Sequence, residues 1–93
     1  MIVKIKYFNI LREVVGIKDE FYTFSSIPTI QTVLEEACSK HNTSLRDKLF
    51  DPSGKVRLAI LIFINSQLIH HNQLDRKLSD NDEVYLFPVI GGG

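Results

Sequence analysis

The sequence predicts an α+β domain in which one main helix packs across one face of a mixed sheet of four or five strands. The first observation is an alternation with a period of two over residues 2–8. The second is a helical repeat of apolar residues over 29–41, and the third is a return to strand-like runs over 58–64 and 83–88. Because the helix supplies a long crossover, we expect the first and last strands to be adjacent and parallel.

The N-terminal third is predicted as a strand, a short helix and a second strand. In the first strand, one face carries Val3, Ile5 and Tyr7, and the other carries Ile2, Lys4, Lys6 and Phe8. One or two helical turns follow, with Asn9 as the N-cap and Gly16 as the stop. Residues 20–24 contain three aromatics and a threonine, which favours an antiparallel partner for the first strand.

The main helix is predicted from Thr29, its N-cap, to about His41. Its apolar face follows the spacing of one side of a helix and consists of Ile30, Val33, Leu34, Ala37, Cys38 and His41. Thr32 stands where a Glu or Gln would complete a capping box. Cys38 lies on the apolar face, so we expect a buried structural thiol rather than a nucleophile.

The second half is predicted as short strands separated by turns. Residues 42–56 are irregular, with a short helix around Leu45 and Leu49. In order, we expect strands over 58–64, 67–70 and 83–88, and turns at 51–54, 65–66 and 79–82. Pro88 cannot donate a ladder hydrogen bond, so it should end the last strand.

Size and charge narrow the class of protein. At 93 residues the chain has room for one domain, with eleven basic and eleven acidic side chains. This balance lacks the basic surface of a nucleic-acid binder and the charged runs of a membrane-surface protein, so neither is an expected partner. A single cysteine, no signal peptide and no apolar run long enough to span a bilayer indicate a cytoplasmic protein.

The C-terminal residues Gly91, Gly92 and Gly93 form the most distinctive stretch of the sequence. We expect a domain over 1–88 and a flexible glycine tail over 89–93. Three glycines are also typical of a frayed end or a cloning remnant. The functional interpretation is that Gly91 and Gly92 thread into a narrow cleft, because they lack a Cβ, and present the carboxylate of Gly93.

Three stretches resemble the β-grasp (ubiquitin-like) sulfur carriers, and among them the small subunit of molybdopterin synthase and the related archaeal ubiquitin-like modifiers. They are residues 7–16, 63–65 and, most specifically, 78–93. Departures from the family pattern are Ser66 and Asn81, which replace glycines, and a single proline before the tail. The segment over 42–56 is longer than in the shortest synthase subunits and is closer to archaeal modifiers and to carriers that serve cysteine biosynthesis.

The resemblance implies a chemistry for Gly93. A ubiquitin-activating-type enzyme would adenylate the carboxylate with ATP, and a sulfur donor enzyme would convert the adenylate to a thiocarboxylate. The sulfur would pass to a pterin precursor in the large subunit of molybdopterin synthase, for molybdenum cofactor biosynthesis. The chain itself would bind no cofactor and would be no enzyme on its own, only the sulfur-donating subunit of one.

Alternative functions are compatible with the same C-terminal tail. Gly93 could be joined to target lysines by an isopeptide bond, as in ubiquitin-like modifiers. The carrier could serve cysteine, thiamine or tRNA thiolation instead, or the domain could be a pure binding module.

The resemblance places partner contacts at Phe8, Leu68 and Phe87, on the sheet face away from the helix. The competing interpretation is that Phe8 and Phe87 fill the rim of a small core. No metal site is predicted: His70 and His71 are adjacent rather than spaced as ligands, and the acidic residues at 80–83 have the composition of a turn.

Overall fold

A computed structural model describes residues 1–41 and 43–89 of the chain. In chain order they form β1 (Ile2–Tyr7), α1 (Ile10–Val15), β2 (Asp19–Thr23), α2 (Ile30–His41), α3 (Thr43–Leu49), β3 (Ile60–Ile64), β4 (Gln67–Ile69), a 3-10 turn (His71–Gln73) and β5 (Glu83–Pro88). The five strands make one sheet in the order β2-β1-β5-β3-β4. This arrangement confirms the predicted α+β class.

The sheet is mixed because its two terminal strands meet at the centre. β1 pairs with β5 in parallel, as the long crossover between them predicts, and every other pairing is antiparallel. The C-terminal end of β5 therefore lies between β1 and β3, and the tail leaves the domain from the middle of the sheet rather than from an edge.

The core lies between the sheet and the helices. Five of the six residues predicted for the apolar face of α2 are buried, and they join the buried side chains of β1, β3 and β5. The sixth, His41, is partly buried and contacts a carboxylate described below. Thr29 caps α2 as predicted, since its hydroxyl accepts a hydrogen bond from the amide of Thr32 at 3.1 Å.

Two local predictions are wrong. β3 begins at Ile60 rather than at residue 58, because the amide of Ile60 bonds the carbonyl of Arg57 and leaves Leu58 in a turn, 89% exposed. The side chain of Asn9 makes no cap on α1. Its backbone has a positive φ of 53°, and its amide group reaches instead to the carbonyl of Pro88. Gly16 does end α1, in the left-handed conformation.

Asn65 and Ser66 form the two-residue turn between β3 and β4. Both have positive φ, 49° and 73°, which is the pattern of a type I′ hairpin turn, in which the second residue is preferably glycine. Asn65 also joins this turn to the start of β5, since its side-chain oxygen accepts from the amide of Glu83 and its nitrogen donates to Asp82. Asn81, with a φ of 68°, is a second left-handed residue in the next turn.

We expect Ser66→Gly to raise the free energy of unfolding by about 1 kcal/mol, because it removes the left-handed strain of a residue with a Cβ. Asn81→Gly is the matched comparison and should give a smaller gain, because asparagine tolerates this conformation better than serine does. Chemical denaturation of the two variants and the wild type measures both values. A loss of stability in Ser66→Gly would contradict the assignment of strain to this turn.

Candidate partner-binding face and tail root

The sheet face opposite α2 carries the strand side chains that alternate with those of the buried core. We call it the open face. It includes Asp19 and Phe21 on β2, Lys4 and Lys6 on β1, Phe8 just beyond β1, Glu83, Tyr85 and Phe87 on β5, Leu61 and Phe63 on β3, and Leu68 on β4. In the described part of the chain no other element crosses this face, so its apolar side chains are available to a partner.

The apolar part of the open face lies next to the end of β5. The ring centroid of Phe8 lies 5.2 Å from that of Phe87 and 5.6 Å from that of Tyr85. We call these three residues the aromatic patch. Strand register extends the patch sideways: Phe63 pairs with Tyr85, and Leu68 pairs with Phe63. Phe87 is 38% exposed and Leu68 is 53% exposed. The result is a contiguous apolar surface across three neighbouring strands.

Charged side chains border this surface on the β1–β2 side. Lys6 lies over the ring of Tyr85 at 5.3 Å, and Lys4 lies 3.9 Å from the carboxylate of Asp19. The hydroxyl of Tyr85 donates to Glu83 at 2.8 Å, and this hydrogen bond raises the pKa of Tyr85, so the phenol stays neutral. An apolar centre with a polar rim is the usual organisation of a protein–protein interface.

The end of β5, which we call the tail root, is held from both sides. On one side the amide nitrogen of the Asn9 side chain donates to the carbonyl of Pro88 at 3.2 Å. On the other, the backbone amide of Val89 donates to the carbonyl of Ala59 at 2.7 Å. A groove beside the tail root is lined by Phe8, Asn9, Ile10, Arg12, Glu13, Pro88 and Val89. The direction in which the chain leaves the sheet is thus fixed as far as Val89.

The structure brings the three predicted partner residues to one face. Phe8 and Phe87 are in direct contact beside the tail root, and neither belongs to the buried core. Leu68 lies two strands from Phe87, at the far end of the same apolar surface. The prediction missed Phe63, whose place between Tyr85 and Leu68 depends on the register of β3. The tail residues Gly91, Gly92 and Gly93 lie outside the described residues.

Two other residues considered in the sequence, Cys38 and His71, have defined positions in the fold. Cys38 is buried as expected, and burial raises the pKa of its thiol to about 11, so it is not a thiolate at neutral pH. The His71 ring nitrogen Nε2 lies 2.7 Å from the carbonyl of Ile60. Within residues 1–41 and 43–89, no group of three His, Cys, Asp or Glu side chains is arranged to hold a metal ion, and no helix is long and apolar enough to cross a membrane.

A buried carboxylate, Glu20, lies on the helix side of the sheet. Its Oε1 accepts from the hydroxyls of Tyr7 and Tyr22 at 2.6 and 2.5 Å and lies 2.6 Å from the ring nitrogen of His41. The ammonium of Lys40 lies 3.1 Å from Oε2. Burial acts to raise the pKa of Glu20, but the hydrogen bonds outweigh it and lower that pKa to about 2. The group is therefore ionised at neutral pH.

The sequence matches the model of the ThiS family over residues 5–93, which is nearly the whole chain. A search of curated proteins gave no significant match. Residues 5–93 include all of the open face except Lys4, together with the tail root and the three glycines. One family model thus accounts for the domain and the tail together.

Solved structures share the fold. The crystal structure of small archaeal modifier protein 1 from Haloferax volcanii has a TM-score of 0.88 at 24% identity and covers 100% of both chains. The same-named protein from Methanosarcina acetivorans has a TM-score of 0.80 at 28% identity, covering 99% of this chain and 96% of that one. Subunit 1 of the molybdopterin-converting factor from Helicobacter pylori, in complex with subunit 2, has a TM-score of 0.62 at 20% identity, covering 100% of both chains. These likenesses confirm the β-grasp fold.

Proposed function

The chain belongs to the ThiS family of ubiquitin-like sulfur carriers and modifiers, and from that premise we propose that it carries sulfur on the carboxylate of Gly93. A carboxylate is ionised at neutral pH and is a poor electrophile, so it needs activation before sulfur can be attached. The proposed activation is adenylation by a ubiquitin-activating-type enzyme, the partner that consumes ATP.

A carboxylate oxygen of Gly93 attacks the α-phosphorus of ATP, pyrophosphate leaves, and an acyl adenylate forms. The terminal sulfur of a persulfide on the sulfur donor then attacks the acyl carbon, and AMP leaves. A thiol reductant supplies two electrons that break the remaining S–S bond, which leaves the thiocarboxylate. The chain contributes the acyl group and its orientation, while the partner encloses the reacting atoms and excludes water.

The observation that supports this proposal best is the position of the tail root beside the aromatic patch. Val89 leaves the sheet next to Phe87, whose ring is in contact with Phe8. A partner that covers these rings is thereby brought to the start of the tail. The remaining residues extend at most about 14 Å beyond Val89, so the reactive carbon must lie close to the covered surface.

We further propose that the acceptor is a pterin precursor held by the large subunit of a molybdopterin synthase. Support comes from the Helicobacter pylori relative, which forms a complex with subunit 2 of the molybdopterin-converting factor. The apolar surface that runs from Phe87 to Leu68 would be the contact with that subunit. The chain would then be the sulfur-donating subunit of an enzyme.

A second candidate function is protein modification, in which Gly93 is joined to target lysines. It is favoured by the likeness at 28% identity to small archaeal modifier protein 1 of Methanosarcina acetivorans. The helix α3 (Thr43–Leu49) in the segment that is longer than in short synthase subunits agrees with this candidate. Carriers for cysteine, thiamine or tRNA thiolation use the same activated tail and differ only in the acceptor.

Intact-protein mass spectrometry on the chain purified from its own host tests the proposal. A species heavier by one oxygen-to-sulfur exchange, located on Gly93, is the expected result. Adducts that carry a Gly-Gly remnant on acceptor lysines would favour the modifier. A plain carboxylate after incubation with the host's adenylating enzyme, ATP and a sulfur donor would overturn both functions.

We expect Phe87→Ala to weaken binding to the synthase large subunit by about 10- to 100-fold, because it removes an aromatic side chain from the centre of the contact. Phe21→Ala is the matched control: Phe21 is 65% exposed on the same face, but it lies on the edge strand β2, away from the tail root. Titration calorimetry with the purified large subunit measures both variants. Equal affinities for Phe87→Ala and the wild type would contradict the assignment of the aromatic patch.

A further inference from the structure

Asn9 has a backbone conformation that side-chain-bearing residues rarely adopt. Its φ is 53° and its ψ is −130°, which is the conformation of the first central residue of a type II′ turn, a position that favours glycine. Residues kept in such conformations cluster at functional sites, where the surrounding structure holds them. The start of α1 does not explain the choice of asparagine, since the side chain makes no hydrogen bond to the first turn of the helix.

Within residues 1–41 and 43–89, the side chain of Asn9 makes its hydrogen bond to the tail root. Nδ2 of Asn9 donates to the carbonyl of Pro88, the last residue of β5, 79 positions later in the sequence. Pro88 has no amide hydrogen, so its own contribution to the strand ladder is limited to that carbonyl. One residue later, the amide of Val89 bonds the carbonyl of Ala59 on the other side of β5. The side chain of Asn9 and the backbone of Ala59 thus form a two-sided clamp on the chain where it leaves the sheet.

We propose that Asn9 is a positioning residue for the reaction of Gly93: its amide group holds Pro88 and so sets the direction in which the tail enters the activating partner. The inference rests on the proposed function. Five residues follow Pro88 and span at most about 17 Å, so a rotation of about 10° at Pro88 displaces the end of an extended tail by about 3 Å. Misplacement on this scale is enough to reduce the rate of a reaction that depends on oriented reactants.

The alternative is that Asn9 serves only the local fold, and the two roles predict different behaviour for Asn9→Gly. Glycine adopts the same backbone conformation without strain, so the turn and the fold are retained while the amide group is lost. A local structural role predicts that activity follows stability. A positioning role predicts that activity falls although the melting temperature stays close to that of the wild type.

The test measures ATP–pyrophosphate exchange catalysed by the adenylating enzyme of the same host, with the full-length chain as the varied substrate. We expect kcat/KM for Asn9→Gly to fall about 10- to 100-fold. Asn9→Asp keeps the size of the side chain but turns an oxygen toward the Pro88 carbonyl. Its kcat/KM should fall at least as far as that of Asn9→Gly. Asn81→Gly is the matched control, since Asn81 also has a positive φ but precedes β5 at the opposite end of that strand. It should retain the wild-type value.

Hydrogen exchange at the Val89 amide supplies a readout that is independent of activity. We expect faster exchange in Asn9→Gly than in the wild type and in Asn81→Gly, because the clamp has lost one side. Wild-type kcat/KM in both Asn9 variants, or unchanged exchange at Val89, would overturn the positioning role while the carrier function stands. Failure of the wild-type chain itself to support ATP–pyrophosphate exchange would instead overturn the proposed function and the inference with it.

Discussion

Removal of Gly92 and Gly93 is expected to abolish formation of the adenylate and the thiocarboxylate, with no change in the free energy of unfolding. The shortened chain still ends in a carboxylate, on Gly91, but that group lies about 7 Å short of its former reach. An acyl adenylate requires the oxygen to lie in line with the α-phosphorus of ATP, and a displacement of this size exceeds the tolerance of an oriented reaction. The buried core lies within residues 3–86, so two terminal glycines should contribute nothing to it.

A matched variant distinguishes the effect of tail length on adenylation from the effect of the tail's lack of side chains. Gly93→Ala keeps the length and the carboxylate and adds one methyl group next to the reacting carbon. If the partner encloses the tail in a cleft that only glycine fits, this variant should lose most of its adenylation rate as well. ATP–pyrophosphate exchange and intact-mass measurements give the rate and the product. Wild-type exchange by the chain that lacks Gly92 and Gly93 would show that Gly93 is not the reacting residue.

The faces of the sheet could be predicted because strand periodicity is local. Alternation places Val3, Ile5 and Tyr7 on the core side and Phe8 on the other without knowledge of any partner strand. The contact between Phe8 and Phe87 follows once the terminal strands are taken as parallel neighbours. The place of Phe63 in the same apolar surface needs the register between β3 and β5, which the hydrophobic pattern of a continuous apolar run does not specify.

Long-range polar contacts could not be predicted in the same way. Asn9 precedes a helix and so has the sequence position of an N-cap, but a hydrogen bond to Pro88 determines where its side chain points. From its residue type alone, Glu20 would be expected at an exposed position of a strand, because carboxylates are rarely buried. It is buried because tyrosines from β1 and β2 and two residues at the end of α2 surround it, and no local pattern joins those three elements.

Glu20→Gln is expected to lower the free energy of unfolding by about 3 kcal/mol at pH 7, because hydrogen bonds to a charged group are worth more than those to a neutral amide. The variant also leaves the ammonium of Lys40 without its buried counter-charge. Glu35→Gln is the matched control. Glu35 forms an exposed ion pair with Arg46 at 2.8 Å, and pairs of this kind contribute at most about 1 kcal/mol.

The same carboxylate gives the stability a predictable dependence on pH. Its pKa is about 2 in the folded protein and 4.5 for an ordinary glutamate, so its ionised form stabilises the fold above pH 4.5, and that contribution is lost as the pH falls toward 2. A shift of this size corresponds to about 3 kcal/mol. The groups that face it are the hydroxyls of Tyr7 and Tyr22, the ammonium of Lys40 and the ring of His41.

The difference in unfolding free energy between the wild type and Glu20→Gln should therefore be largest near neutral pH and should shrink as the pH falls from 4.5 toward 2. Urea denaturation at a series of pH values measures it, and the Glu35→Gln series shows how much of the change comes from the general protonation of surface carboxylates. A constant difference across that interval would mean that the glutamine disturbs packing rather than charge. A difference that shrinks only for Glu20→Gln would identify the buried carboxylate as a main source of acid sensitivity in this domain, since protonating it removes the charge that Lys40, Tyr7 and Tyr22 are arranged to meet.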